Sequence, residues 1–294
     1  MRNGPHILLC SESSTGKTSF AAQLIGCPPA IKDGRPVLVQ GFDPSDKMTP
    51  YRRRGDRLLS EPWKYGRRER IMRGKECVAI LERWHESEGR AGGGVTMSGG
   101  GKVQTAKYVL QGTKFEDYLE RMTHFVAECD DEYFGYIHDS STFCQHAASA
   151  YLQGVMKVSD NQLVYAQVTD ELERFYLATF PELPITTIVI SHSLPQRVTE
   201  RDEKGRKRRV RGAPGDVPYE ARLPGRLAND IFATFGEIYR AFYDRKTNGY
   251  YLQTRRDEVW LCQSQLGVPD PLGPSPTFKE IYEQAAKLQS EEVA

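Results

Sequence analysis

The residues best equipped for chemistry form one continuous stretch, Ser11-Glu12-Ser13-Ser14-Thr15-Gly16-Lys17-Thr18-Ser19, directly after the short apolar run His6-Ile7-Leu8-Leu9-Cys10. The pattern reads as a strand, a tight loop and a helix beginning at Lys17, which is the context a phosphate-binding loop requires. Successive backbone N–H groups of residues 12–18 can curl around a polyphosphate, with the positive end of the helix dipole facing it. Gly16 lets the backbone approach without a Cβ in the way. Lys17 supplies a point charge to the β- and γ-phosphates, and the Thr18 hydroxyl is a hard oxygen ligand for Mg²⁺. Glu12, Ser13, Ser14, Thr15, Gly16, Lys17, Thr18 and Ser19 are therefore the expected nucleotide contacts, with ATP and Mg²⁺ as the ligands. Lys17 is expected to face solvent when no nucleotide is bound. Ser11 stands where such loops usually open with glycine, at some cost in turn freedom.

Two carboxylates and a histidine follow at strand ends. Asp139 closes the apolar run Tyr133–His138, where it can hold Mg²⁺ opposite Thr18; a helix-capping role is the alternative, since Ser140, Ser141 and Thr142 follow. Asp43 closes a second run, Pro36–Gly41, and could orient or deprotonate an attacking water. Its place before Pro44 also suits a plain turn. Ser191 and His192 close a further apolar run, Ile185–Ile190, and are placed to sense the γ-phosphate, with a loop or capping role as the alternative. Lys17, Asp43, Asp139 and His192 are the catalytic candidates, and Thr18 and Asp139 the metal ligands.

These residues need a sheet whose strand ends share one edge. Strand, helix, strand, helix and strand with apolar strands predict a parallel sheet covered on both faces. A chain of 294 residues can bury such a core, and a net charge of +1 says little about partners. The run at 7–10 is too short for a signal peptide, and no window has the length of a membrane span. Six scattered cysteines (10, 27, 77, 129, 144, 262) read as reduced thiols of a cytoplasmic protein. His138, Cys144 and His146 lack a fourth ligand at zinc spacing.

Between these elements, residues 49–76 carry ten basic side chains against four acidic ones. Ile71, Val78, Ile80, Leu81 and Trp84 predict a helix running to about Glu86, followed by the glycine clusters 92–94 and 99–101. Residues 45–112 are read as an insertion in the core. From Phe115 a helix is expected to carry Leu119, Met122 and Val126 on one face, and another to span roughly 161–180. Residues 238–243 and 250–254 flank Asn248-Gly249 as a hairpin, with 258–262 as its next strand. A Pro-rich linker (269–276) leads to a last helix with Thr277 and Glu280 as a capping box. This divides the chain into a domain over 1–268 and an appendage over 269–294.

The loop after Ser193 holds Arg206, Lys207, Arg208, Arg209 and Arg211, five cations in six residues. Such a run is commonly a solvated face. Projecting from the nucleotide edge, it could also engage a phosphate backbone without base-specific geometry.

The order of these motifs resembles the RecA-type ATPase core: the loop Ser11–Thr18, the strand ending at Asp43, Tyr136-Ile137-His138-Asp139-Ser140-Ser141, Ile188-Val189-Ile190-Ser191-His192-Ser193 with its basic loop, and Leu223-Pro224-Gly225-Arg226-Leu227. It looks most like the compact versions encoded by bacteriophages, some of which act in single-strand annealing or recombination. The resemblance covers about residues 5–44 and 113–267. It implies an α/β fold, a RecA-like P-loop NTPase core with a mostly parallel sheet flanked by helices and a C-terminal antiparallel meander. It further implies a Mg²⁺-dependent ATPase acting on DNA, single-stranded for preference, able to work as a homo-oligomer, with no membrane association and a place in the host cytoplasm. Asp43 matches the water-activating position, where glutamate is common, and 194–226 the mobile DNA-contacting loop. Related proteins often end the meander with Lys-x-Arg, whose cations reach a neighbouring subunit's nucleotide; here the run is Gln263-Ser264-Gln265-Leu266-Gly267. That loss puts fast hydrolysis in question unless Arg255 or Arg256 substitutes. It favours, as an alternative, a nucleotide-gated DNA-binding protein that scarcely hydrolyses. A P-loop kinase would need an arginine-bearing lid, for which 49–76 is the candidate, and a DNA-packaging ATPase a nuclease domain or partner.

Overall fold

The computed structural model of the chain describes residues 4–12, 14–42, 49–65, 67–84, 86–87, 95–96, 102–103, 108–109, 115–154, 160–201, 207–214 and 216–293. Strand β1 (His6–Ser11) sends Ile7 and Leu9 to one buried layer and Leu8 and Cys10 to the other. A strand wrapped on both faces is apolar on both, which is why the run shows no polar alternation. The chain then forms α1 (Lys17–Ala21), α2 (Pro28–Asp33) and β2 (Val37–Gly41). Strands β3 (Arg57–Glu61), β4 (Arg67–Arg73) and β5 (Glu76–Arg83) come next, then α3 (Phe115–Glu132), β6 (Gly135–Asp139), α4 (Ser141–Gly154) and α5 (Asn161–Glu173). Strand β7 (Thr186–Pro195) leads into a hairpin of β8 (Arg197–Arg201) and β9 (Lys207–Arg211), and then β10 (Tyr219–Ala221). Helix α6 (Leu227–Thr234), strands β11 (Glu237–Asp244), β12 (Gly249–Gln253) and β13 (Gln263–Ser264), and helix α7 (Phe278–Val293) complete the chain.

The main sheet runs β12-β11-β1-β7-β6-β2-β5-β4-β3, with β10 on β7 and β13 on β11. Pairing is parallel from β11 through β1, β7, β6 and β2 to β5. The first five of these, numbered by their order in the chain, lie fifth, first, fourth, third, second. This is the mostly parallel sheet flanked by helices that was expected, with its antiparallel extension at β11–β12 and β13. One face is covered by α3 to α6 around Tyr118, Met122, Phe125, Tyr136 and Tyr176, the other by α1, α2 and α7 around Phe20, Ile137, Ile188 and Phe278.

Four local readings are corrected. The helix expected to end near Glu86 is the strand pair β4–β5, turned at Gly74 in the left-handed region (φ 65°). β5 is buried on both faces, so it lacks the alternation that marks a strand in sequence. On α3 the buried stripe is Tyr118, Met122, Phe125 and Cys129, whereas Val126 is 41% exposed. The helix over 161–180 stops at Glu173 and continues as a π-helical turn, Arg174–Thr179. Finally, 258–262 is irregular, because the Asp257 carboxylate takes the N–H groups of Val259 (2.7 Å) and Trp260 (2.6 Å) that a strand would need. At the last helix, the Thr277 N–H and hydroxyl both reach Glu280, as a capping box requires on the glutamate side.

Candidate active site

The phosphate loop leaves β1 at Ser11, which is buried at 1% exposure. Its hydroxyl donates to Thr15 Oγ1 at 2.6 Å, and the Thr15 hydroxyl donates to the Glu12 carbonyl at 3.1 Å. Serine in place of the usual opening glycine thus staples the loop shut across four residues. Gly16 closes it in the left-handed region (φ 86°), capping α1. A Cβ there would stand 3.0 Å from the Tyr250 ring, so glycine is favoured by conformation, and any larger residue would also have to push that ring aside by a few tenths of an ångström. Lys17 does not face solvent: it is 5% exposed, and its ammonium donates to the carbonyls of Ser11 (3.1 Å) and Glu12. Buried, the ammonium donates to backbone carbonyls of the loop, which carry negative dipole density.

The metal candidates meet as expected in space. Thr18 Oγ1 donates to Asp139 Oδ2 at 3.1 Å across 121 residues of sequence. A hydroxyl and a carboxylate side by side, both hard oxygen donors, fit Mg²⁺. Asp139 is 1% exposed, and Oδ2 also accepts the Tyr51 hydroxyl at 2.7 Å. Beneath it, His138 is buried and neutral: Tyr136 OH lies 2.9 Å from Nδ1, and Tyr176 OH 2.8 Å from Nε2. Burial pushes the His138 pKa down to about 3. With Tyr136 donating to Gln40 Oε1, and Gln40 and Arg121 donating to Glu82, the chain of bonds runs from β6 through β2 to α3. His138 is therefore a fully engaged core residue.

His192 pairs in register with Ser11 on the adjacent strand, so it does reach the phosphate edge. Its N–H donates to Thr142 Oγ1 at 3.1 Å, and its ring stands edge-on to Phe143. Glu12 accepts the Tyr219 hydroxyl at 3.0 Å, and the Tyr219 ring stacks on Trp260 with centroids 4.1 Å apart. Ser13, Asp43 and Arg206 lie outside the described residues. A cavity of about 210 Å³ opens beside the loop between Gly16, Phe20, Gln23, Tyr250 and Pro276. A larger one, about 510 Å³, lies at the opposite ends of the strands around Gly4, Arg35, Phe134 and Tyr282. None of the phosphate- or metal-binding candidates lines it, and its Arg35 is already paired with Asp33 at 2.7 Å.

No protein-family model matches the chain, and no curated protein matches its sequence. Among solved structures, the chain is similar to a KaiC-like protein of the hyperthermophilic archaeon Pyrococcus horikoshii. The two share 12% identity over 86% of this chain and 79% of that one, with a TM-score of 0.41.

The basic loop is a hairpin. β7 continues beyond Ser193 to Pro195 and is braced there by β10, with Ser193 opposite Ala221. β8 and β9 pair so that Arg197 lies opposite Arg211 and Arg201 opposite Lys207. Arg211 is tied back into the stem, donating to the Pro195 carbonyl (2.8 Å) and pairing with Glu220. It is spoken for in a way the sequence reading did not foresee. The run at 263–265 is likewise built into the sheet edge: Ser264 donates to Glu237 at 2.7 Å and Gln263 to the Phe235 carbonyl at 2.7 Å. Of the basic segment at 49–76, Arg67 pairs with Glu69, Arg70 with Glu61 and Arg73 with Asp56. Among the described residues of this segment, β3, β4 and the start of β5 extend the main sheet. Tyr51, Tyr219 and Tyr250 escaped the sequence reading, since each meets the loop or its carboxylate only through the fold.

Proposed function

We propose that the chain is a Mg²⁺-dependent, ATP-binding RecA-like ATPase that acts on DNA in recombination, single-strand annealing or replication. The observation that carries the reading is the convergence of Lys17, Thr18 and Asp139 at the C-terminal edge of the parallel sheet. Lys17 moves from the Ser11 and Glu12 carbonyls to the β- and γ-phosphate oxygens. The N–H groups between Glu12 and Thr18 and the start of α1 hold the rest of the polyphosphate. Thr18 and Asp139 would hold Mg²⁺, which neutralises charge on the phosphate oxygens. Asp43, at the end of the second strand in sequence, is proposed to orient the attacking water, and His192 to sense the γ-phosphate.

The DNA part of the proposal rests on the hairpin Arg197–Arg211, which projects from β7 past the nucleotide edge and carries Lys207, Arg208 and Arg209. The backbone phosphates of single-stranded DNA are its proposed partner, with several copies of the chain along one strand. Hydrolysis is proposed to be slow, because the 263–265 run offers no cation and is bonded into the sheet edge. This favours a nucleotide-gated DNA binder as the second reading. Turnover with and without single-stranded DNA, alongside anisotropy titrations of single- and double-stranded DNA with and without ATP, tests both. The first reading expects DNA-stimulated hydrolysis, and the second ATP-dependent DNA affinity with almost no turnover. A protein that binds neither ATP nor DNA refutes both.

A further inference from the structure

We infer that Tyr51 is a positioning residue of the metal site, delivered to it from outside the parallel core. The inference rests on the Mg²⁺·ATP reading of that site. Asp139 Oδ2 accepts two hydroxyls, Thr18 Oγ1–H at 3.1 Å from the phosphate-loop helix and Tyr51 O–H at 2.7 Å from the chain after β2. A threonine hydroxyl that ligates a cation through a lone pair keeps its proton for the carboxylate. The two donors therefore persist together when metal binds, and between them they fix a carboxyl rotation that is otherwise broad.

Tyr51 is itself held firmly. It is 2% exposed, in the same buried layer as Val39, Ile71 and Leu81. Its turn is closed by the Arg52 N–H on the Thr49 carbonyl at 3.1 Å. Five residues on, Asp56 accepts the Arg53 N–H at 3.0 Å and is clasped by Arg73 Nε and a terminal nitrogen, each at 3.2 Å. Burial pushes the Asp56 carboxyl up, but its bonds to Arg73 and Arg53 prevail and hold it below the usual carboxylate range. Arg73 belongs to β4, so the link runs from the added strands through Asp56 to the backbone at Arg53, two residues from Tyr51, and from Tyr51 to Asp139. The extra strands β3 to β5 thus take part in setting the metal ligand. Outer partners of this kind commonly change metal affinity by about 10- to 100-fold when removed.

The test is a Mg²⁺ titration of the full-length protein, read by fluorescence of a labelled ATP analogue, so that binding rather than turnover is followed. Tyr51→Phe keeps the buried ring and removes only the donor. Its Mg²⁺ midpoint should rise about tenfold, while binding of metal-free nucleotide stays within about twofold of the parent. Asp56→Asn, which loosens the turn without touching the site, should move the midpoint the same way by a smaller factor. It carries the test if the phenylalanine variant does not fold. A lowered melting temperature with an unmoved Mg²⁺ midpoint would make Tyr51 purely structural and overturn the inference, as would a midpoint that falls. If the parent shows no Mg²⁺-dependent nucleotide binding, the underlying reading fails instead.

Discussion

The position of Lys17 lets its contribution be worked out. Its ammonium is buried against the Ser11 and Glu12 carbonyls, so nucleotide binding exchanges those partners for phosphate oxygens. Two unit charges about 4 Å apart at an effective dielectric of about 20 attract by about 4 kcal/mol. Giving up the two carbonyl bonds from a charged donor costs about 3 kcal/mol at about 1.5 kcal/mol each. The difference, about 1 kcal/mol, corresponds to roughly fivefold in affinity. Lys17→Met keeps most of the buried stem, and it should weaken a fluorescent ATP analogue by that factor in an equilibrium titration with Mg²⁺ present. Lys17→Ala should lose at least as much. Melting curves without nucleotide separate loss of fold from loss of binding. Affinity within about 1.5-fold of the parent for a folded Lys17→Met would show that the lysine stays on the loop carbonyls and that the charge argument is wrong.

Other outcomes follow from the same geometry. Asp139→Asn should blunt the Mg²⁺ dependence of ATP binding, whereas Asp43→Asn should spare binding and lower hydrolysis; normal turnover in the latter removes Asp43 from catalysis. Gly16→Ala should destabilise the protein to urea by about 1–2 kcal/mol from the left-handed conformation alone. Adding Tyr250→Ala should recover only the share due to the ring contact, and full recovery would refute the conformational cost. Replacing Arg206, Lys207, Arg208 and Arg209 by alanine should weaken DNA and flatten the slope of log affinity against log salt by about 0.7 per lost single-strand contact. Arg211→Ala, by contrast, should act on hairpin stability, because its guanidinium already holds Pro195 and Glu220. An unchanged slope in the fourfold variant would move the DNA site elsewhere.

The phosphate loop was legible because its chemistry lies in consecutive residues, and Asp139 because an apolar run points its last residue at the same sheet edge. Tyr51 and Tyr219 were not, because their partners lie 88 and 207 residues away in sequence. The segment at 49–76 misled for a related reason. Counted along the chain it is a run of cations, but in the sheet Glu61 and Glu69 stand across from Arg68 and Ser60 and draw in Arg70, Arg67 and Arg83. Composition records charges and cannot record who faces whom. The same limit hid the burial of Lys17, whose partners are carbonyls, groups that every residue carries.

Those arginine–glutamate pairs also decide how copies of the chain can meet. A sheet has two rims, and an open rim invites a strand from another molecule. On the β12 side the chain hems its own rim, with Leu252 and Leu272 exchanging backbone bonds at 2.9 and 2.8 Å and the Ser275 N–H on the Tyr250 carbonyl at 2.8 Å. On the β3 side, among the described residues, the outermost strand presents Arg57 and Glu61 at its ends, with the ion-paired Arg68 and Arg70 on its neighbour. A visiting strand would have to bury those charges for a few backbone bonds. Continuation of the sheet from one molecule into the next is thereby closed at the β12 rim by the chain itself and met by charge at the ends of β3.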